Sequence, residues 1–270
     1  MNVENRVEKK LRFEHHFMLG MRLDYVTIDQ FIDEFARSAQ LGVSAYCCVP
    51  DVYQCMVCHD RESHRDIVNR ADYVVSDSVI LQTARALRYG VPAIRTMLGT
   101  ELMLALCREA EIRKIPIALI GGRDDSALAR IKTTLAENFP ALRIAYGYSP
   151  PFRELRPAEE EMMLSELVDS GARLVFFGIG CPKQEQWMGR YAGRIHAAMI
   201  GVGAAFDTIG GLVRPSPGFI HRIGLEWLFR LVREPRRLYR RYLVSAPRFV
   251  WLIFTDWTRS AFHRGASAET

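Results

Sequence analysis

The 270-residue chain has no run of about 18 uninterrupted apolar residues, the length a membrane-spanning helix needs, which excludes an integral channel or transporter. Its opening, MNVENRVEKKLRFEHH, is charged and lacks a signal peptide's apolar core, so the expectation is a protein that is not exported. Neither G-x-G-x-x-G nor G-x-x-x-x-G-K-[ST] occurs, which weakens the dinucleotide and P-loop readings. There is no internal repeat and no low-complexity tract. With 49% hydrophobic and 25% charged residues, the chain is neither disordered nor fibrous.

The six cysteines include Cys55-Met-Val-Cys58-His59, which matches the C-x-x-C-H pattern for covalent haem. That chemistry requires export. The expectation is instead a small-residue face of an amphipathic helix in a reducing compartment. Adjacent Cys47-Cys48 is not a second ligand pair at zinc-site spacing. No metal and no cofactor are expected.

The charge, +5 overall, is unevenly spread. From Leu212 to Thr270 eleven arginines face four acids, an excess of seven, which leaves the first 211 residues at −2. Three of the four tryptophans share that tail. A basic, aromatic tail suits nucleic acid or an anionic membrane surface. Its arginines share helices with bulky apolar residues and with Glu226 and Glu234, which disfavours nucleic acid.

Periodicity before residue 212 alternates strands with helices. Strands are expected at Ser44–Val49, Tyr73–Val75, Ile115–Ile120, Arg143–Tyr146, Arg173–Phe177 and His196–Ile200. Helices are expected at Val52–Arg70, Val79–Tyr89, Glu101–Arg113, Asp125–Asn138 and Pro157–Ser170. This rhythm predicts an α/β fold with a doubly wound, parallel, Rossmann-like sheet. After Gly211 it stops. Pro215 and Pro217 read as a linker, followed by helices at Gly224–Arg233, Arg236–Val244 and Phe249–Phe262. The expected domains are an α/β unit over 1–211 and a small helical basic and aromatic appendage over 212–270.

Three expected strands end in glycine: Gly121-Gly122, Gly178-Ile-Gly180 and Gly201-Val-Gly203. In a parallel sheet such ends line one edge, where ligands bind, and glycine lets backbone approach a phosphate. Three such turns in one domain point to a nucleotide or sugar-nucleotide. Lys183 and Gln184 could reach a ligand and Glu185 could cap a helix, or all three could be solvated at a helix start. Asp207 could accept from a nucleobase or ribose, or cap the next turn. Asp77 also falls at a strand end, as a general base or as a helix cap. No Asp-x-Asp pair occurs, which argues against a divalent-metal clamp and leaves arginines to neutralise a leaving diphosphate.

Four segments together resemble the WecG/TagA/CpsF family of bacterial glycosyltransferases: Leu119-Ile-Gly-Gly122, Gly180-Cys-Pro-Lys-Gln-Glu-Gln-Trp187, Gly201-Val-Gly-Ala-Ala-Phe-Asp207, and Gly224 through Tyr242. The resemblance runs from about residue 20 to about residue 245. It implies inverting, metal-free transfer from a UDP-sugar to a polyprenyl-diphosphate-linked saccharide in cell-surface polysaccharide biosynthesis, with N-acetylmannosamine a common donor sugar. Asp77 aligns with the family's proposed catalytic base, flanked here by Ser76 and Ser78 rather than Pro and Gly. Val49-Pro50-Asp51 replaces a Thr-x-Asn turn, and Thr96 stands where an Arg is usual, with Arg95 one residue earlier. The common Arg-Ala-Pro reads Arg214-Pro215-Ser216.

By this resemblance Asp77, Gln184 and Arg214 are the expected catalytic residues. The expected substrate contacts are Asp51, Arg95, Gly121, Gly122, Gly180, Lys183, Gln184, Glu185, Gly201, Gly203, Phe206, Asp207, Arg233, Arg237 and Arg240. The tail would bring the enzyme to the inner face of the cell membrane, with Phe249, Trp251, Phe254, Trp257 and Phe262 as aromatics and Arg236, Arg237, Arg240, Arg241 and Arg248 as charge. A homo-oligomer would suit such a tail. Three other readings remain from the residues: a catalytically altered binding protein of the same fold, a nucleotide-dependent oxidoreductase, and an amphipathic helical cap in place of a membrane tail.

Overall fold

The computed structural model describes residues 13–96, 98–213, 220, 225–233, 235–239 and 243–266, with Glu226, Arg230, Arg237 and residues 257–266 as backbone alone. A six-stranded, wholly parallel sheet organises the chain, in spatial order β4-β3-β8-β7-β5-β6. Its strands are β3 (Ala45–Cys48), β4 (Tyr73–Val74), β5 (Ile117–Gly121), β6 (Ile144–Tyr148), β7 (Leu174–Gly178) and β8 (Ala198–Gly201). A short antiparallel hairpin, β1 (His15–Met18) and β2 (Met21–Asp24), precedes them.

The sheet is buried on both faces, and its side chains divide with period two. Ala45, Cys47, Leu119, Leu174, Phe176 and Ile200 point into one apolar layer. Tyr46, Cys48, Ile120, Val175, Phe177 and Met199 point into the other. The first layer is closed by α1 (Ile28–Gln40), α5 (Gly99–Ile112), α6 (Asp125–Asn138) and α9 (Ala205–Ile209), through Phe31, Phe35, Leu106, Ile131 and Phe206. The second is closed by α2 (Val52–Asp60), α3 (Glu62–Asn69), α4 (Val79–Tyr89), α7 (Pro157–Asp169) and α8 (Lys183–Tyr191), through Cys55, Val68, Leu81, Leu164, Trp187 and Tyr191. The doubly wound parallel sheet expected from the alternating pattern is therefore observed.

Two differences from the sequence reading have clear causes. The helix expected over 52–70 is two helices, because Arg61 is extended (φ −130°, ψ 103°). No glycine or proline marks the break, and turning α3 there lets His64 and Val68 face inward. The β1–β2 hairpin and α1 lie where no element was expected. They are held by a buried pair in which Arg22 Nε stands 3.0 Å from Asp24 Oδ1. Asp24 Oδ2 accepts from the Val74 amide at 2.8 Å, and the Arg22 guanidinium donates to the carbonyls of Asn69 and Ala71.

Among the described residues after Gly211, three further helices follow: α10 (Glu226–Arg233), α11 (Pro235–Tyr239) and α12 (Ser245–Ala266). No helix among the described residues is long and apolar enough to cross a membrane. α12 docks on the second layer. Phe249 is buried there with Leu252 and Ile253 beside it, Arg248 forms a two-pronged ion pair with Asp60 of α2 at 2.6 and 2.7 Å, and Arg88 of α4 pairs with Asp256. Phe249 was expected to face a membrane; the structure instead buries it as the anchor of this helix, while Arg248 stays exposed and pairs with Asp60. Val250, Trp251 and Phe254 remain exposed.

Removing one partner of a buried ion pair leaves the other charge uncompensated. Asp24→Ala is expected to destabilise the protein by about 3–5 kcal/mol, read from urea unfolding, because it strands Arg22 and frees the β4 edge.

Candidate active site

All six parallel strands present their C-terminal ends along one edge, and the helices leaving it do not all turn the same way. After β5 and β8 the chain enters α6 and α9 on the first layer, whereas after β7, which lies between them, it enters α8 on the second. Helices that part in this way open a crevice above the strand ends. The three glycine turns border it. A cleft of about 530 Å³ is lined by Gly122, Arg123, Gly178, Ile179, Gly180, Lys183, Gly203, Ala204 and Asp207, with Pro150, Pro151 and Phe152 closing one side.

Close approach to backbone requires glycine at position 121, and a side chain crowds the glycine at 201. A Cβ on Gly121 (φ +148°) would stand 2.9 Å from the Gly178 carbonyl group across the β5–β7 seam. A Cβ on Gly201 would stand 2.6 Å from Gln184 Nε2. Gln184 is buried between two of the turns, its Oε1 accepting from the Gly180 amide at 3.2 Å and its Nε2 donating to Glu185 Oε1 at 2.8 Å. It links the β7 and β8 turns and does not line the cleft.

Glu185 is fully buried. Burial, opposed by the Gln184 hydrogen bond and reinforced by the Asp51 carboxylate, pushes its pKa up to about 7. The expectation that it caps a helix is corrected. Pro182 occupies the cap position of α8, and no side chain caps that end. Phe206 is likewise corrected as a substrate contact. Its ring is buried beneath the β7 turn, so close that a Cβ on Gly178 would stand 2.3 Å from it.

Among the described residues two cations line the cleft, Arg123 and Lys183. Arg123 grips Asp207 through Nε and a terminal nitrogen, both at 3.2 Å. Lys183 lies 5.2 Å over the Trp187 ring, with Nζ 3.5 Å from the Arg153 carbonyl oxygen. Arg123 was not singled out in the sequence. Its signal was available, as the cation directly following the Gly121-Gly122 turn.

Asp77 stands further along the same edge. The Ser76 hydroxyl donates to the Pro50 carbonyl at 2.7 Å and accepts from the Ser78 amide at 3.0 Å, while Ser78 caps α4 by accepting from the Leu81 amide. The two serines thus frame the carboxylate between β4 and α4, and the helix cap is Ser78, not Asp77. A Cβ on Gly99 would stand 3.8 Å from Asp77 Oδ2 and 3.5 Å from the Val202 carbonyl oxygen. Asp77 and the Gly201–Gly203 turn therefore converge on the start of α5. Asp51 caps α2, accepting from the Gln54 amide at 3.0 Å. Arg95 is exposed in the loop between α4 and α5. Arg233 stacks over Phe229 of its own helix at 5.0 Å. Arg214 and Arg240 lie outside the described residues, and Arg237 is described only as helix backbone.

Behind the β7 turn stands a further group that the sequence did not reveal. His64 of α3 is buried, and neither ring nitrogen meets a hydrogen-bond partner. Burial, with Arg61 adding to it, lowers its pKa to about 4. Five of the six cysteines are buried free thiols, and Cys181 alone is partly accessible. Burial pushes the Cys58 and Cys107 thiols up to about 12.

A parallel α/β fold with a glycine-lined crevice and a carboxylate on the same edge has the layout in which ligands bind at the strand ends. The family described as "Glycosyl transferase WecG/TagA/CpsF family" matches residues 16–262, and the chain belongs to it. It is a glycosyltransferase, an enzyme that transfers sugars from a donor to an acceptor in cell-surface polysaccharide biosynthesis.

Gly201→Ala tests the link between the turns. The added methyl displaces only the end of a side chain, so the fold is expected to survive. Displacing Gln184 shifts the Gly180 amide, and a misplacement of about 1 Å at a positioned group costs about a hundredfold in transfer rate. Circular dichroism and steady-state kinetics on the purified variant check both parts.

Proposed function

We propose that the protein moves a sugar from a UDP-sugar to a polyprenyl-diphosphate-linked saccharide, with inversion and with no divalent metal on the diphosphate. The observation that carries this reading is that Asp77 shares the strand-end edge with one cavity and lies two residues before the first lining residue of another, of opposite character. The first is the glycine cleft, in which Arg123 and Lys183 are the cations among the described residues. The second, beginning at Val79, is an apolar groove of about 640 Å³ between α4 and α12. Ile80, Ala84, Leu87, Phe249, Ile253 and Phe254 line it. A diphosphate suits the first and an isoprenoid chain the second.

In this reading the donor diphosphate lies over the Gly180 and Gly203 turns. Asp77 accepts the proton of the acceptor hydroxyl as that oxygen attacks the anomeric carbon from the face opposite UDP. The C–O bond to the diphosphate breaks, and its electron pair leaves with UDP. Lys183, Arg123 and backbone amides meet the growing negative charge, each well-aimed donor lowering the barrier by about 3 kcal/mol. Gln184 positions the turns. Arg214, Arg233, Arg237 and Arg240 are further candidates for the diphosphate.

We also assign 1–211 as the catalytic unit and 212–270 as an appendage that meets the inner face of the cell membrane. The exposed Val250, Trp251 and Phe254 support this, because apolar and aromatic side chains on a docked helix gain by entering the interfacial region. A second copy of the chain would present the same surface to the same membrane.

Asp77→Asn is expected to lower turnover by about 10²–10⁴-fold, the usual contribution of a positioned base. UDP affinity, read by calorimetry, should stay unchanged. Undiminished turnover would remove Asp77 from the mechanism. Ala84→Trp fills the apolar groove. Loss of two buried CH₂ groups, at about 0.8 kcal/mol each, should weaken a long-chain polyprenyl acceptor by about tenfold. A short-chain acceptor should be used as before, and equal losses for both acceptors would mean that the groove does not hold the lipid.

A further inference from the structure

His64, Cys181 and Glu185 come from α3, the turn after β7 and the first turn of α8. One ligand atom from each lies within 4.8 Å of the other two. The His64 ring is 2% exposed and neither nitrogen has a hydrogen-bond partner, so the interior holds an imidazole with nothing to satisfy it. An orphaned buried polar group of this kind costs about 1–3 kcal/mol. Glu185, also fully buried, directs one oxygen to Gln184 and has the second available to this group.

We propose that His64, Cys181 and Glu185 bind a single divalent transition-metal ion of the zinc class behind the turn that carries Gly180 and Gln184. The donor set is one imidazole nitrogen, one sulfur and one carboxylate oxygen, a mixture that zinc accepts and that magnesium and calcium, which take oxygen alone, do not. The imidazole is held neutral by its burial, which is the form a metal takes. On coordination the Cys181 thiol proton and the proton that burial holds on Glu185 pass to solvent, and the thiolate and carboxylate together balance the two positive charges of the ion. That balance matters in a buried place, where net charge is costly. Zinc holds such ligands at about 2.0–2.3 Å, so the three atoms must draw together, and the half-buried Cys181 is the one with room to move. Its partial exposure also gives the ion a way in and leaves a fourth position for water.

None of the three residues lines the glycine cleft, so the ion would not touch a diphosphate bound there. It would act on the turn from behind, tying α3 to α8 and fixing the residues between Gly180 and Gln184 whose hydrogen bonds set the cleft floor. Neither the family nor the proposed reaction requires it.

The test uses the full-length protein stripped with a chelator and then titrated with zinc against a chromophoric competitor, and with cobalt as a spectroscopic probe. One zinc per chain is expected, and cobalt should give thiolate-to-metal charge-transfer absorption. Cys181→Ser should lose that absorption, and His64→Gln should lose stoichiometric zinc. Circular dichroism shows whether each variant is folded. If His64→Gln does not fold, Cys181→Ser, at a half-buried position, decides alone. A wild-type chain that takes up no stoichiometric zinc overturns the proposal. So does a Cys181→Ser variant that keeps the full thiolate absorption, since the ion would then sit on another cysteine.

Discussion

The site depends on a packing constraint at the middle of the sheet. β7 lies between β8 and β5, yet it sends its helix to one face while both neighbours send theirs to the other. Both layers must be covered for an all-parallel sheet to be buried, and this winding covers them. It also leaves the ends of three adjacent strands with no helix directly above. The chain fills those ends with glycine and spans two of them with one side chain, Gln184. The crevice is thus a by-product of closing the core.

That constraint explains what was legible in the sequence. Leu174–Gly178 and Ile117–Gly121 are apolar throughout because both faces of their strands are covered, and each glycine marks the place where cover stops. Period and punctuation therefore located the strands and the turns together. What the sequence did not reveal was created by tertiary contact. Arg61 breaks a helix with no glycine or proline nearby, so the pattern of 52–70 reads through it. Phe206 looks like part of a ligand motif because it follows a glycine turn, but its ring is the wedge beneath the neighbouring turn. His64 sits among polar neighbours in an ordinary helical segment, and only the fold brings it to Cys181 and Glu185.

The C-terminal helix shows the same limit in another form. Its residues were read as one basic and aromatic population because composition does not distinguish faces. Packed against α2 and α4, the population divides. Phe249 turns to the core, the exposed Arg248 pairs with Asp60 on the neighbouring helix, and Trp251 and Phe254 stay outside. A helix fixed in this way closes one wall of the apolar groove and exposes aromatic surface on its outer side, which suits an enzyme whose acceptor stays in a bilayer.

Four carboxylates stand along this edge of the sheet, and their environments give them different work. Asp207 is gripped by Arg123 at the cleft. Asp51 caps α2, its oxygen committed to a backbone amide. Glu185 is sealed from water against Gln184, where burial raises its proton affinity and hides it from any sugar hydroxyl. Asp77 is neither a cap nor sealed in. Serines on both sides use their own hydroxyls to hold the turn and to cap α4, work that an aspartate at a strand end would otherwise take on. Replacing the family's usual Pro and Gly with Ser therefore keeps the carboxylate at the edge by another route, relying on hydrogen bonds in place of backbone restriction. A general base needs a fixed position and access to its substrate at once. The proposed reaction gives that part to Asp77, framed between Ser76 and Ser78 at the strand end.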